Sequence, residues 1–210
     1  MSANSTALRV ADPNAPVIYL DFDGVLHHQE VYMNAEGYIF MDAPQREAGR
    51  RLFEWCHLLA TLLRDKPQVQ IVLSTTWARK IGMQSTIRSL MERLDANVIG
   101  STFEARIDGA NDEALEHFLN LSRSQQIQRD VARRGIKNWI AIDDDFAGWP
   151  AHSADRLIPC DGDWGISNPK TYLLLEQKLE AMCIQSVHVS KEVVTTSSQM
   201  PRISFRRRTA

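Results

Sequence analysis

A short apolar stretch that ends in two aspartates constrains this chain more than any other feature. Residues 17–20 read Val-Ile-Tyr-Leu, and Asp21, Phe22, Asp23 and Gly24 come directly after them. An apolar run of this length predicts a buried strand in the middle of a sheet, and the glycine permits a tight turn after it. Open α/β sheets bind ligands at the carboxyl ends of their parallel strands, so we expect both aspartates to belong to a functional site.

The two aspartates allow more than one chemistry. Carboxylates so close together repel each other unless a cation lies between them or one of them takes a proton. Asp21 and Asp23 therefore indicate a hard-cation site, a nucleophile with its acid/base partner, or both. The sequence Asp-x-Asp-Gly is also typical of an ordinary turn, so the interpretation depends on the residues at the ends of the other strands.

A second apolar run ends in hydroxyl side chains. Residues 69–73 predict a strand, and Ser74, Thr75 and then Trp77 come after it. Short hydroxyl donors beside the free N–H groups of a helix start are suited to binding a phosphate group. The same residue types also cap helices, so this signal is weak without the others.

A third apolar run ends in acidic residues. Residues 137–142 predict a strand that leads into Asp143, Asp144 and Asp145. Three carboxylates at the end of a buried strand are costly unless a cation balances them. This strand is therefore the strongest partner for the Asp21 region.

Asp21 to Leu26, behind an apolar strand, resembles the first motif of the haloacid dehalogenase (HAD) superfamily. The strands ending in Ser74 and in Asp143-Asp144 resemble its second and fourth motifs. Strand-Ser-Thr-x-Trp is most similar to the HAD domain subgroup associated with nucleic-acid (RNA) repair proteins, although Ala78 stands where that subgroup often has arginine. The resemblance covers about residues 17–182 and implies a three-layer Rossmann-like α/β sandwich with a mostly parallel five-stranded sheet and a small flap or cap.

The resemblance also implies a reaction and a set of site residues. Asp21 would attack phosphorus and form an aspartyl-phosphate, while Asp23 would serve as general acid and then general base. Ser74 would hold a phosphoryl oxygen. The residues expected to hold Mg²⁺ are Asp21, Asp23 (through its main-chain carbonyl), Asp143 and Asp144, and those expected to contact substrate are Gly24, Thr75 and Trp77.

Such a site also needs a basic side chain, because an aspartate must attack an anionic phosphoryl group. The candidates between the second and fourth motifs are Arg106, Arg123, Arg129, Arg133, Arg134 and Lys137. We select Arg123, since it begins a predicted helix and Arg123-x-x-x-Ile127 resembles the subgroup's pattern. The other candidates are expected on a solvated face.

The chain divides into a lead-in at residues 1–15, a catalytic domain at 16–184 and a basic, flexible tail at 185–210. Within the domain, residues 27–44 are expected to form a flap, with a hairpin that pairs 31–33 with 38–40 around Gly37. His27 and His28 are retained only as possible substrate contacts.

Periodicity and cap residues predict the helices. Ser122 with Gln125 has the capping-box spacing, and Gly135 is expected to end the helix that they open. The predicted helices cover residues 45–64, 83–94, 112–121, 122–134 and 170–182, a short strand covers 97–100, a final strand covers 156–159, and residues 101–109 are expected to be a loop. Asp161 and Asp163 are expected in a turn.

Composition limits the class of protein. An apolar fraction of 44% in 210 residues supports one sizeable folded domain, and a net charge of −2 gives no general attraction to nucleic acid or membrane. No apolar run reaches the length of about 20 residues that a membrane helix needs. Three scattered cysteines and the lack of signal-peptide features favour a reducing cytosol. The tail, with five basic residues against one acidic residue, is a possible weak contact for nucleic acid.

Several functions remain open at this stage. The favoured one is a Mg²⁺-dependent phosphatase acting on a phosphorylated small molecule. The same fold could instead process a nucleic-acid end, as a 3′-phosphatase does. A metal-dependent glycosyltransferase and a non-catalytic module that binds a phosphate ligand are further alternatives.

Overall fold

The strand that precedes Asp21 is the central strand of a five-stranded parallel sheet. In order across the sheet, the strands cover Val98–Ser101, Gln70–Leu73, Val17–Leu20, Trp139–Asp143 and Leu157–Pro159. The computed structural model describes residues 12–90, 94 and 97–197, and for 187–197 it describes the helical backbone alone. Helices flank the sheet, so the predicted Rossmann-like α/β sandwich is confirmed. The strands are β1 Val17–Leu20, β2 Val31–Met33, β3 Ile39–Met41, β4 Gln70–Leu73, β5 Val98–Ser101, β6 Trp139–Asp143 and β7 Leu157–Pro159.

The helices lie between these strands in chain order. They are α1 Ala43–Glu47, α2 Cys56–Leu63, α3 Trp77–Lys80, α4 Met83–Ser89, α5 Ala105–Asp108, α6 Asp112–Leu119, α7 Arg123–Arg134 and α8 Pro169–Ser197. Two 3₁₀ helices, Ala151–Arg156 and Gly165–Ser167, flank β7 and precede α8. None of the described helices is long and apolar enough to cross a membrane.

The register of the sheet brings three polar residues side by side. Leu20 pairs with the last residue of β4 and with Ile142 of β6. The next residues along the three strands are Asp21, Ser74 and Asp143, so all three stand in the same row at the carboxyl edge. Main-chain hydrogen bonds continue into that row, since the Asp21 N–H donates to Ile142 and the Ser74 N–H donates to Leu20.

Each central strand is buried on both faces. Ile18 and Leu20 belong to the larger apolar cluster, whereas Val17 and Tyr19 belong to a second cluster on the opposite face. Alternate residues of a strand point to opposite faces. The unbroken apolar run of β1 is therefore explained by helices that cover the sheet on both sides.

The predicted hairpin forms a separate two-stranded sheet. Strands β2 and β3 are antiparallel, with Val31 opposite Met41 and Met33 opposite Ile39. Gly37 has φ +84° in the connecting turn, a conformation that favours glycine. The large apolar side chains that this hairpin exposes are Tyr32, Met33, Tyr38 and Phe40.

The prediction of one helix over residues 45–64 is wrong. The structure has two helices there, α1 and α2, separated by turns. Gly49 has φ +84° and Phe53 has φ +59°, and neither value is compatible with a right-handed helix. The main-chain N–H of Phe53 donates instead to the ring of His27, so a tertiary contact interrupts the helical pattern.

Other helix boundaries also differ from the predictions. Helix α4 ends at Ser89 because Leu90 is extended, and residues 91–93, 95 and 96 lie outside the described residues. The expected loop at 101–109 contains the short helix α5. Helix α8 continues past Met182 to Ser197, while residues 198–210 of the predicted basic tail lie outside the described residues.

Candidate active site

An acidic cluster occupies the carboxyl edge of the sheet. Asp21, Asp143 and Asp144 each offer a carboxylate oxygen, and these oxygens all lie within 4.8 Å of one another. Asp21 and Asp143 are buried, and Asp144 is partly exposed. More than a hundred residues of chain separate Asp21 from the other two, yet β1 and β6 are neighbours in the sheet, and this is what brings the carboxylates together.

Arg123 lies directly against this cluster. Its Nη2 is 3.1 Å from Asp21 Oδ2 and its Nε is 3.2 Å from Asp143 Oδ2, and Nη1 donates to the main-chain carbonyl of Ser74. The capping box of Ser122 and Gln125, which the structure confirms, begins helix α7 at this point. The cap therefore sets the direction in which the Arg123 side chain leaves the helix.

The cluster holds more negative charge than one arginine can balance. Burial raises the pKa of Asp21, and the Arg123 guanidinium offsets only part of this effect. Burial and then the Asp21 carboxylate raise the pKa of Asp143 to about 9 and that of Asp144 to about 6. A cation among these oxygens would favour their charged forms, so the electrostatics suit a metal site.

Buried polar atoms without partners point to the same place. Ser74 Oγ and Asp143 Oδ2 are buried and have no hydrogen-bond partner among the described residues, although Arg123 is close enough to Asp143 for an ion pair. Such atoms are uncommon in folded proteins and call for a ligand or an ion. Carboxylate oxygens are the donors that Mg²⁺ prefers, so these residues fit that ion and an anionic group beside it.

The side chain of Asp23 lies apart from the cluster and is held by two rings. Trp77 Nε1 is 3.1 Å from both Asp23 carboxylate oxygens, and His27 Nε2 is 3.0 Å from Oδ1. The Asp23 side chain remains 32% exposed, so the carboxyl group faces the opening of the site. The side chains of Asp21, Asp143 and Asp144 thus meet in the cluster, while the expected role of the Asp23 main-chain carbonyl as a metal ligand stays a prediction.

Gly24 and Thr75 are two of the three residues that were expected to contact the substrate. Gly24 has φ +69°, and a Cβ atom there would overlap the Asp144 carboxylate. The Thr75 hydroxyl accepts a hydrogen bond from the Trp77 N–H, at 3.4 Å. Both residues shape the site, Gly24 by leaving room for Asp144 and Thr75 by turning the chain into α3.

Three of the other basic candidates, and the two aspartates expected in a turn, have partners away from the cluster. Arg129 pairs with Asp108, while Arg133 and Arg134 pair with the buried Asp130. Asp161 accepts a hydrogen bond from the Asp163 N–H within a turn, as expected, and Asp163 contacts His28 and Gln29. His27 was expected at most to contact substrate, and its contact with Asp23 has no signal in the sequence, since two adjacent histidines in a loop have no periodicity that separates a buried ring from a solvated one.

Two cavities adjoin the site. One of about 330 Å³ opens beside Asp23, and its walls are Val31, Tyr32, Met33, Ile39, Thr76, Trp77 and Lys80. The other, of about 260 Å³, lies between α3, α6 and α7, and its walls include Arg79, Leu121, Arg123 and Asp145. Thr76 lines both cavities, so the two cavities adjoin each other at this residue.

A parallel five-stranded α/β sheet, with paired aspartates after its central strand and acidic residues after the adjacent strand, defines a HAD-type domain. The model of one family, described as the HAD domain in Swiss Army Knife RNA repair proteins, matches residues 17–171. The chain belongs to this family, which confirms the resemblance seen in the sequence. Comparisons with curated proteins and with solved structures find no match.

Proposed function

We propose that this protein is a Mg²⁺-dependent phosphatase that hydrolyses a phosphate monoester through an aspartyl-phosphate on Asp21. The proposal is carried by one observation: the acidic cluster lies at the same edge of the sheet as the buried hydroxyl of Ser74, which has no hydrogen-bond partner among the described residues. The cluster suits a hard cation, and the hydroxyl with the Arg123 guanidinium suits phosphoryl oxygens. Membership of a HAD family supports hydrolase chemistry.

In the first step Asp21 attacks phosphorus, and a bond forms between its carboxylate oxygen and phosphorus as the bond to the leaving oxygen breaks. Asp23 gives its proton to that leaving oxygen. In the second step the Asp23 carboxylate takes a proton from water, whose oxygen attacks the same phosphorus. The Asp21 carboxylate is thereby released together with inorganic phosphate, and Asp23 is protonated again.

Mg²⁺ would be held by Asp21, Asp143 and Asp144, with the main-chain carbonyl of Asp23 as the further ligand that the resemblance implies. When bound, it neutralises negative charge between the nucleophile and the phosphate. Arg123 orients Asp21 through the 3.1 Å contact and adds a second positive charge. The Ser74 hydroxyl donates to a phosphoryl oxygen.

The test is the variant Asp21→Asn, with Asp65→Asn as its matched control. Asp65 is exposed and precedes β4, at the opposite edge of the sheet, so the same chemical change is made away from the site. We expect the first variant to lose Mg²⁺-dependent phosphate release by more than about 10³-fold while keeping its circular dichroism spectrum. The control should match the wild type, and only the wild type and the control should yield acid-stable covalent phosphate.

Wild-type turnover in Asp21→Asn would remove Asp21 as the nucleophile. Absence of Mg²⁺-dependent turnover by the wild type over a broad panel of phosphate esters would favour a module that binds phosphate ligands without catalysis. Hydrolysis of UDP-sugars without phosphatase activity would instead favour the glycosyltransferase alternative.

A second candidate, the processing of nucleic-acid ends, is favoured by the cavity beside Asp23. An acid that protonates the leaving oxygen must lie next to the leaving group, so the organic part of the substrate would occupy this cavity. Its walls combine the exposed ring of Tyr32 with the basic side chain of Lys80. Aromatic rings stack on bases and a nearby cation contacts the phosphate backbone, which together suit a nucleotide chain.

The two candidates differ in what they hydrolyse. A nucleic-acid end-processing enzyme should release phosphate from a 3′-phosphorylated oligonucleotide and not from a 3′-mononucleotide at the same concentration. A metabolite phosphatase should hydrolyse a small ester at least as well as the oligonucleotide. Measurement of kcat/KM for the oligonucleotide, the mononucleotide and the small ester at one salt concentration decides between the two candidate functions.

A further inference from the structure

The ring of His27 is completely buried and both of its nitrogens have partners. Nε2 lies 3.0 Å from Asp23 Oδ1, and Nδ1 accepts the main-chain N–H of Phe53 at 3.2 Å. His27 therefore connects Asp23 to Phe53, which comes 26 residues after His27 in the chain. Neither the proposed reaction nor the family description gives this ring a role.

The two contacts determine which nitrogen carries the proton. A main-chain N–H can only donate, so Nδ1 must have a free lone pair. The proton then resides on Nε2, and Nε2 donates to Asp23. His27 is thus a neutral donor with a defined tautomer, since a proton on Nδ1 would point at the Phe53 N–H.

The ring is held on its other sides by aromatic side chains. Its centroid lies 4.9 Å from that of Phe53 and 5.8 Å from that of Trp77, and the Phe22 ring packs against both of these. Phe53 is the one non-glycine residue with positive φ among the described residues. Such a conformation is uncommon for a bulky residue and persists where the surroundings enforce it, and here it directs the N–H to His27.

The Asp23 carboxylate is consequently held by two N–H donors on different elements. Oδ1 receives both His27 Nε2 and Trp77 Nε1, while Oδ2 shares the Trp77 donor and has no further partner within the part of the chain that the structure describes. Rotation of the carboxylate would break these bonds. Oδ2 therefore has more free acceptor capacity toward a leaving group than Oδ1, and Asp23 itself lines the cavity in which that group would lie.

We propose that His27 is a positioning residue that, as the Nε2–H tautomer, holds Asp23 in the orientation needed for proton transfer with the leaving oxygen. This inference rests on the proposed phosphatase function. A purely structural alternative exists, in which the ring only fills space among the aromatic side chains. The two roles differ in their dependence on the leaving group, because an alkoxide needs a proton and a nitrophenolate does not.

The tautomer can be measured without any activity. Long-range ¹H–¹⁵N correlation spectra of the ¹⁵N-labelled full chain separate Nε2–H, Nδ1–H and doubly protonated rings. The signals missing from His27→Gln identify the residue, which is needed because His28 also accepts a main-chain N–H at Nδ1. We expect the Nε2–H form for His27, and an Nδ1–H or doubly protonated ring would overturn the proposal.

The kinetic test compares two variants on two esters. His27→Asn can keep an acceptor for Phe53 but loses the donor to Asp23, whereas His27→Gln can return an N–H to the position of Nε2. Removal of a partner that orients a catalytic group costs about 10–100-fold. We expect a loss of that size in kcat/KM for an alkyl phosphate with His27→Asn, a loss of less than about threefold for p-nitrophenyl phosphate, and partial rescue in His27→Gln.

Equal losses on both esters, or no loss on either, would overturn the positioning role. If His27→Asn fails to fold, Trp77→Phe removes the other donor while keeping a ring, and the same difference between the esters is expected of it. If the proposed phosphatase function itself is wrong, the result differs from both of these, because the wild type would then hydrolyse neither ester in the presence of Mg²⁺.

Discussion

Replacement of Gly24 by alanine should damage the site through a measurable clash. Gly24 combines two features, a φ of +69° and a position at which a Cβ atom would overlap the Asp144 carboxylate. The left-handed conformation costs a residue with a side chain about 1–2 kcal/mol. Overpacking of a close contact adds about 1–3 kcal/mol. We therefore expect Gly24→Ala to lower the free energy of unfolding by about 2–5 kcal/mol.

Gly135 provides a matched control for the backbone cost alone. It ends helix α7 with φ +67°, nearly the same value, and a Cβ atom there would meet no atom of the described residues within 4 Å. Gly135→Ala should therefore cost only the conformational part, about 1–2 kcal/mol. The difference between the two variants measures the clash with Asp144.

The clash should also appear in metal binding. An alanine at position 24 pushes the Asp144 carboxylate away from Asp21 and Asp143, so the affinity for Mg²⁺ should fall by about 10–100-fold. Urea denaturation gives the unfolding free energies, and calorimetric titration gives the Mg²⁺ affinities of the two variants. Equal stability losses with wild-type Mg²⁺ affinity in both variants would refute this account of the glycine and of the cluster.

Three further outcomes are expected. Ser74→Ala should raise the free energy of unfolding by up to about 1 kcal/mol, because it removes a buried hydroxyl for which the described residues offer no partner, and it should lower phosphate release by about 10²-fold. A stability loss above about 1 kcal/mol in urea denaturation would contradict this. Lys80→Gln should raise the KM for a 3′-phosphorylated oligonucleotide, and the slope of log binding affinity against log salt concentration should fall by about 1. Hydrolysis of p-nitrophenyl phosphate should not change. Equal effects on both substrates would exclude a contact between Lys80 and the phosphate backbone of the oligonucleotide. Chelation of divalent cations should abolish turnover reversibly while circular dichroism reports an intact fold, and activity in the presence of excess chelator would contradict the metal site.

Much of the fold could be predicted because its signals are local. The apolar run before Asp21 indicated a strand covered on both faces, and β1 has this environment. Ser122, Gln125 and Gly135 predicted both ends of helix α7, because cap hydrogen bonds join residues within one turn. The long helix predicted at 45–64 failed for the opposite reason, since a hydrogen bond from Phe53 to the distant His27 overrides a helical pattern.

The sequence by itself determined that carboxylates and hydroxyl groups come after apolar strands, and hence that they would meet at one edge of a parallel sheet. Only the tertiary structure decided which side chains contact each other there. It brought Arg123 to Asp21, joined Trp77 to Asp23, and directed the Phe53 N–H to His27. The physical reason is the separation along the chain. Strand burial and helix caps depend on residues that are close in sequence, whereas these contacts join residues that are distant in sequence and depend on how the elements pack.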